Sequence, residues 1–120
     1  MKYKHTHSNL EKENEYPKLV RDKIPEIVSA RVGHPIKTRV LKAKEYDKYL
    51  KMKVVEEAQE LMEAKGKIHI AEELADVMEL IDIILKENKL TLKDIRSVQK
   101  AKVKERGGFK KKILMLEKAK

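Results

Sequence analysis

The sequence predicts a mainly α fold, a small antiparallel helical bundle, and three observations carry that expectation. Apolar residues recur at helical spacing through three long stretches, residues 43–65, 70–88 and 91–106. Helix punctuation brackets these stretches, with Gly66 after the first, Thr91-Leu92-Lys93-Asp94 opening the third, and Gly107-Gly108 closing it. Strand-like alternation of β-branched and polar residues is confined to two short segments, 36–41 and 112–116, which would pair as one two-stranded element.

In chain order, residues 1–15 read as a mobile polar tail, in which His5 and His7 have no metal-site context. Residues 16–120 form a single domain, since 120 residues suffice for one core and not two. Pro17 and Pro25 forbid a continuous helix between them. Asp22 is placed to cap a short helix that holds Pro25 in its first turn and runs to Ala30. Gly33, His34 and Pro35 break the chain before the segment 36–41. Gly66-Lys67-Ile68-His69 then forms a short loop that makes the first two long helices antiparallel neighbours, and His69 reads as a loop residue rather than a ligand. In the third helix Leu92, Ile95, Val98 and Val103 give one narrow apolar stripe.

Charge narrows the function classes. Lys and Arg total 29 against 20 Asp and Glu, a net charge of +9, while charged and hydrophobic residues each make up 41% of the chain. That apolar share is too high for a disordered chain. There is no cysteine, which removes disulfides and thiolate metal sites. No apolar run reaches the roughly 20 residues of a membrane span, and the polar N-terminus lacks a signal peptide's apolar core, so the expected location is cytoplasmic. Five aromatic residues are too few for a base-stacking platform, although +9 alone would suit a generic nucleic-acid binder.

The placement of the acids is more informative. At about 100° per residue, Glu73 falls between Leu80 and Ile84 inside the apolar arc of the second long helix, with Asp76 at its edge beside Ile83. Glu72, Glu79 and Asp82 fall on the other side. In the first long helix Glu56, Glu57 and Glu60 share one sector of roughly 100°, with Glu57 touching the apolar edge and Lys53 close enough to pair with them. Glu57 lies nine residues before Gly66 and Glu73 seven after it, so the hairpin brings them to similar heights. Glu57, Glu60, Glu73 and Asp76 would then converge on an all-oxygen nest, whose hard donors suit Mg²⁺ or Mn²⁺ rather than zinc.

Glu56-Glu57-x-x-Glu60 followed after 12 residues by Glu73-x-x-Asp76 resembles the signature of the MazG-like superfamily of all-α nucleoside triphosphate pyrophosphohydrolases, which includes phosphoribosyl-ATP pyrophosphohydrolase. Lys18-Leu19-Val20-Arg21-Asp22-Lys23-Ile24-Pro25 and Glu105-Arg106-Gly107-Gly108-Phe109 are similar to flanking segments of its small phosphoribosyl-ATP-pyrophosphohydrolase-like members. The resemblance implies Mg²⁺-dependent cleavage between the α and β phosphates of a nucleoside triphosphate or related nucleotide. It implies that Glu57, Glu60, Glu73 and Asp76 hold metal and that Glu56 assists the attacking water. It also implies a homodimer or homotetramer, in keeping with a thin single-chain core.

Basic residues near the end of the third long helix suit a polyphosphate. Lys104 and Arg106, before Gly107-Gly108, are candidate phosphate contacts, and Arg21 and Lys23 are further ones. Each has a plainer reading: cations complement a helix C-terminus, and Arg21 with Asp22 makes a structural ion pair. The competing function is a non-catalytic basic helical module that binds nucleic acid. The acids favour a small polyphosphate over nucleic acid, and the lack of a long apolar run argues against a membrane partner; the base is not specified.

Overall fold

The computed structural model describes residues 16–120. The tail expected over residues 1–15, with His5 and His7, lies outside the described residues. Four helices follow in order, α1 (Ile24–Val32), α2 (Ala43–Glu63), α3 (Lys67–Glu87) and α4 (Leu92–Arg106). The all-α class holds, and no helix among the described residues is long and apolar enough to cross a membrane.

The start of α1 differs in detail from the sequence expectation. Asp22 does not cap it; Lys23 occupies the cap position and no side chain caps the helix. The Ile24 N–H donates instead to the Arg21 carbonyl at 3.0 Å, closing a backbone turn that leaves Asp22 facing a cleft. Pro25 sits in the first turn, where its missing donor costs nothing. The helix runs two residues past Ala30 and ends when the Gly33 N–H donates to the Ser29 carbonyl at 3.0 Å.

One glycine makes the α2–α3 reversal. Gly66 has φ 83° and ψ 155°, a region that residues with a Cβ scarcely populate. The chain turns back at that residue, so Lys67, Ile68 and His69 are not loop but the first turn of α3. Of the helices, only α2 and α3 pack extensively on each other. The opening of α4 follows the sequence closely: Thr91 Oγ1 accepts from the Asp94 N–H at 3.2 Å and Asp94 Oδ2 accepts from the Thr91 N–H at 2.8 Å, a reciprocal capping box. Yet α4 buries no residue, and its stripe of Leu92, Val98 and Val103 is about half exposed.

The two-stranded element is absent: no strand occurs among the described residues. Local contacts take up residues 36–41 instead. The Ile36 N–H donates to Ser29 Oγ at 3.1 Å, and Arg39 makes a bidentate pair with Glu45 at 2.8 and 2.9 Å, while Val40 is 95% exposed. The segment 112–116 follows a helix that buries nothing, and Ile113, Leu114, Met115 and Leu116 are all exposed. Neither segment has a sheet face to cover, so alternation alone does not make a strand.

The interior is the main surprise. Among the described residues the buried apolar ones are Val28, Leu50, Leu80 and Leu85, matched in number by the buried acids Glu57, Glu60, Glu72 and Glu73. Much of the apolar arc that helical periodicity assigns to the inside, including Val55, Met62, Ile70, Leu74 and Met78, is exposed. The hairpin therefore closes on its acidic faces and turns much of its apolar surface outward.

Candidate functional site

Glu57 on α2 and Glu73 and Asp76 on α3 each offer a carboxylate oxygen, and these oxygens lie within 4.8 Å of one another. Helix geometry explains the arrangement. Residues three apart share a face, so Glu73 and Asp76 project together from α3, and the Gly66 reversal brings Glu57 opposite them. Glu73 is 4% exposed. Three like charges this close repel, and burial removes the water that would screen them. The consequence is visible at Glu57: burial first, then the neighbouring Asp76, raises its pKa from the ordinary 4.5 to about 8. Glu56 and Glu73 push the same way, and Lys53 pushes back.

The triad opens into a cleft of about 620 Å³. Residues 18–22 and Ile24 form one wall, and Leu50, Leu80 and Ile83 provide an apolar floor. Three cations reach into it. Lys53 Nζ lies 3.0 Å from Glu56 and 3.8 Å from Glu57, as the helical spacing anticipated. Lys18 Nζ, on a nearly buried side chain, lies 3.6 Å from Glu56. Arg21 Nη2 donates to Asp76 Oδ1 at 2.6 Å, an ion pair different from the Arg21–Asp22 pair expected from sequence.

Of the residues singled out from sequence, Glu56, Glu57, Glu60, Glu73, Asp76 and Arg21 all line this cleft. Glu60 is buried and belongs to the cleft, but among the described residues the group within 4.8 Å comprises Glu57, Glu73 and Asp76. Lys23 is exposed and does not line the cleft. Lys104 and Arg106 are exposed at the far end of α4, where Arg106 Nε lies 3.9 Å from Glu105; the single chain does not bring them to the acids. His69 is no loop residue. From the first turn of α3 its Nδ1 accepts the Lys65 backbone N–H at 3.3 Å, and its Nε2 lies 3.4 Å from Glu73 Oε1.

Two residues escaped the sequence reading. Glu72, assigned to the outward side, is 7% exposed and lines the cleft. On the wheel it lies only about 40° from Asp76, so the buried arc runs from Glu72 through Asp76 and Leu80 to Glu73. Glu72, Asp76, Glu79 and Ile83 share one stripe, but Glu72 and Glu79 fall beyond the apolar arc and were assigned to the other side. Lys18 was the other. Its signal was the surplus of clustered acids, which demand cations from somewhere.

The residues fit a hard divalent cation. Donors in the close group are all carboxylate oxygens, which suit Mg²⁺ or Mn²⁺. In addition, Glu72 Oε1 is buried without a hydrogen-bond partner, an acceptor of the kind native structures satisfy. Fold and site together define an all-α protein whose central hairpin carries a buried carboxylate cluster beside a cation-rimmed cleft. No protein-family model, curated protein or solved structure matches this chain.

Proposed function

We propose that the protein is a Mg²⁺-dependent nucleoside triphosphate pyrophosphohydrolase of the MazG-like type, acting in the cytoplasm. Water is consumed, the bond between the α and β phosphates breaks, and a nucleoside monophosphate and pyrophosphate leave. One observation carries the reading: three carboxylates from two antiparallel helices lie within 4.8 Å, in a cleft that also holds Lys18, Arg21 and Lys53.

Glu57, Glu73 and Asp76 would hold the metal, with Glu60 at the margin of the group. The bound cation would neutralise charge on the phosphate oxygens and make a water molecule more acidic. Glu56 stands next to this group and is tied to Lys53 and Lys18, which fixes its carboxylate to orient an attacking water. Arg21 and Lys18 supply positive charge for the phosphates. Leu50, Leu80 and Ile83 offer an apolar surface on the same cleft. Phosphoribosyl-ATP and non-standard nucleotides are both compatible substrates.

The outward apolar residues of α2 and α3 suit burial in a homodimer or homotetramer. A second copy is also the means by which Lys104 and Arg106 would reach a phosphate. The competing reading, a module binding nucleic acid, draws on the C-terminal quarter, where from Thr91 onward the chain carries eleven basic residues against three acidic ones, six of the basic residues on a helix that buries nothing.

Pyrophosphate release over a panel of nucleotides, with and without Mg²⁺, separates the two. Turnover that requires Mg²⁺ and falls by about 100-fold or more in Glu73→Gln supports the hydrolase. Absence of turnover, with DNA binding that weakens steeply with salt, establishes the binding module instead.

A further inference from the structure

We propose that Arg21 is a built-in counter-cation for Asp76 that a divalent metal must displace, so that residues 18–22 sense whether the cleft holds metal. The inference rests on the reading of the hairpin acids as a metal site, and not on the hydrolysis reaction.

Asp76 has two roles that conflict. One of its oxygens belongs to the group shared with Glu57 and Glu73, within 4.8 Å. Its Oδ1 also accepts a charge-assisted hydrogen bond from Arg21 Nη2 at 2.6 Å, short even for such a bond. A divalent cation among the three carboxylates would stand within a few ångströms of the guanidinium, where like charges repel strongly at reduced dielectric. One of the two must give way, and the structure indicates which. Asp76 is fixed on α3, packed against α2. Arg21 sits on irregular chain ahead of α1, tied there by the Ile24 N–H to its carbonyl, and its side chain is 56% exposed. Water therefore receives the freed guanidinium at little cost, since half-exposed ion pairs are weak.

Displacement has a second consequence. The freed guanidinium stays at the cleft wall, with donors newly available for an anion. Metal would thus come first and prepare the site for a phosphate-bearing ligand. Lys18, whose side chain is nearly buried against Glu56, remains as the anchor of the same segment.

The test is Mn²⁺ binding to the full chain without nucleotide, measured by calorimetry and by the electron paramagnetic resonance of free Mn²⁺. If Arg21 competes for Asp76, Arg21→Gln binds Mn²⁺ about two- to fivefold more tightly, about 0.4–1 kcal/mol, in the range of a half-exposed ion pair. Lys23→Gln, which removes the same charge two residues away and outside the cleft, is expected to leave the affinity within the error. Hydrogen exchange over residues 18–22 should also speed up when Mn²⁺ is added to the unsubstituted protein. Weaker binding in Arg21→Gln would show instead that Arg21 orients Asp76 for the metal, and overturns the proposal. Equal tightening in Lys23→Gln would reduce the effect to general charge and overturn it too, as would slower exchange with Mn²⁺. Failure to bind millimolar Mn²⁺ removes the metal site altogether. Mn²⁺ binding with the expected Arg21 response but no nucleotide turnover refutes only the hydrolase.

Discussion

Glu57 of α2 and Asp76 of α3 hold carboxylate oxygens within 4.8 Å of one another across the hairpin, and burial first, then the charge of Asp76, raises the Glu57 pKa to about 8. Two acids that approach this closely make the metal-free protein sensitive to pH.

An acid whose pKa is higher in the folded than in the unfolded chain binds more protons when folded. For Glu57 that excess exists between the ordinary 4.5 and about 8. The stability of the metal-free protein therefore falls as pH rises through this interval and levels off above it. Thermal melts in EDTA from pH 5 to 9 should show Tm declining toward pH 8, with Glu57→Gln flattening the decline. Because metal and proton compete for the same oxygens, Mg²⁺ should raise Tm more at pH 8 than at pH 6.

Glu72 gives a prediction of opposite character. Its carboxylate is 7% exposed, and Oε1 has no hydrogen-bond partner. Glu72→Gln keeps the shape and removes the buried charge, so the metal-free protein should gain about 1–3 kcal/mol. Denaturant melts in EDTA measure this directly; a loss of stability would reveal a cation that depends on Glu72.

Gly66 is open to a clean test of the hairpin. A Cβ there would meet nothing within 4 Å, so only its backbone conformation resists substitution. Gly66→Ala should cost about 1–3 kcal/mol through strain at φ 83°. The strain falls on the turn that sets Glu57 opposite Glu73, so Mn²⁺ affinity should decline with stability. An alanine variant as stable as the parent would show that the reversal does not depend on that conformation.

Particular residues show how far the sequence was legible. Thr91 and Asp94 announced their capping box because such a motif is satisfied within four residues. The equal heights of Glu57 and Glu73 followed from counting outward from Gly66. The segments 36–41 and 112–116 misled for a definite reason: alternation describes a strand only where a partner and a buried face exist, and here neither does. Glu72 was missed because it lies outside the apolar arc of its helix, whereas the face that closes is set by the acids and not by that arc.

By itself the sequence determined the helices, the Thr91 cap, the reversal at Gly66 and the pairing of Glu57 with Glu73 and Asp76, because all of these follow from local hydrogen bonding and helical spacing. Only the tertiary structure decided which faces close. It turned the acids inward, set Lys18 and Arg21 among them, and left apolar residues such as Leu74 and Met62 outside. Those outcomes depend on how cations from a distant segment compensate buried carboxylates. That energy arises only when residues 55 positions apart, Arg21 and Asp76, come together.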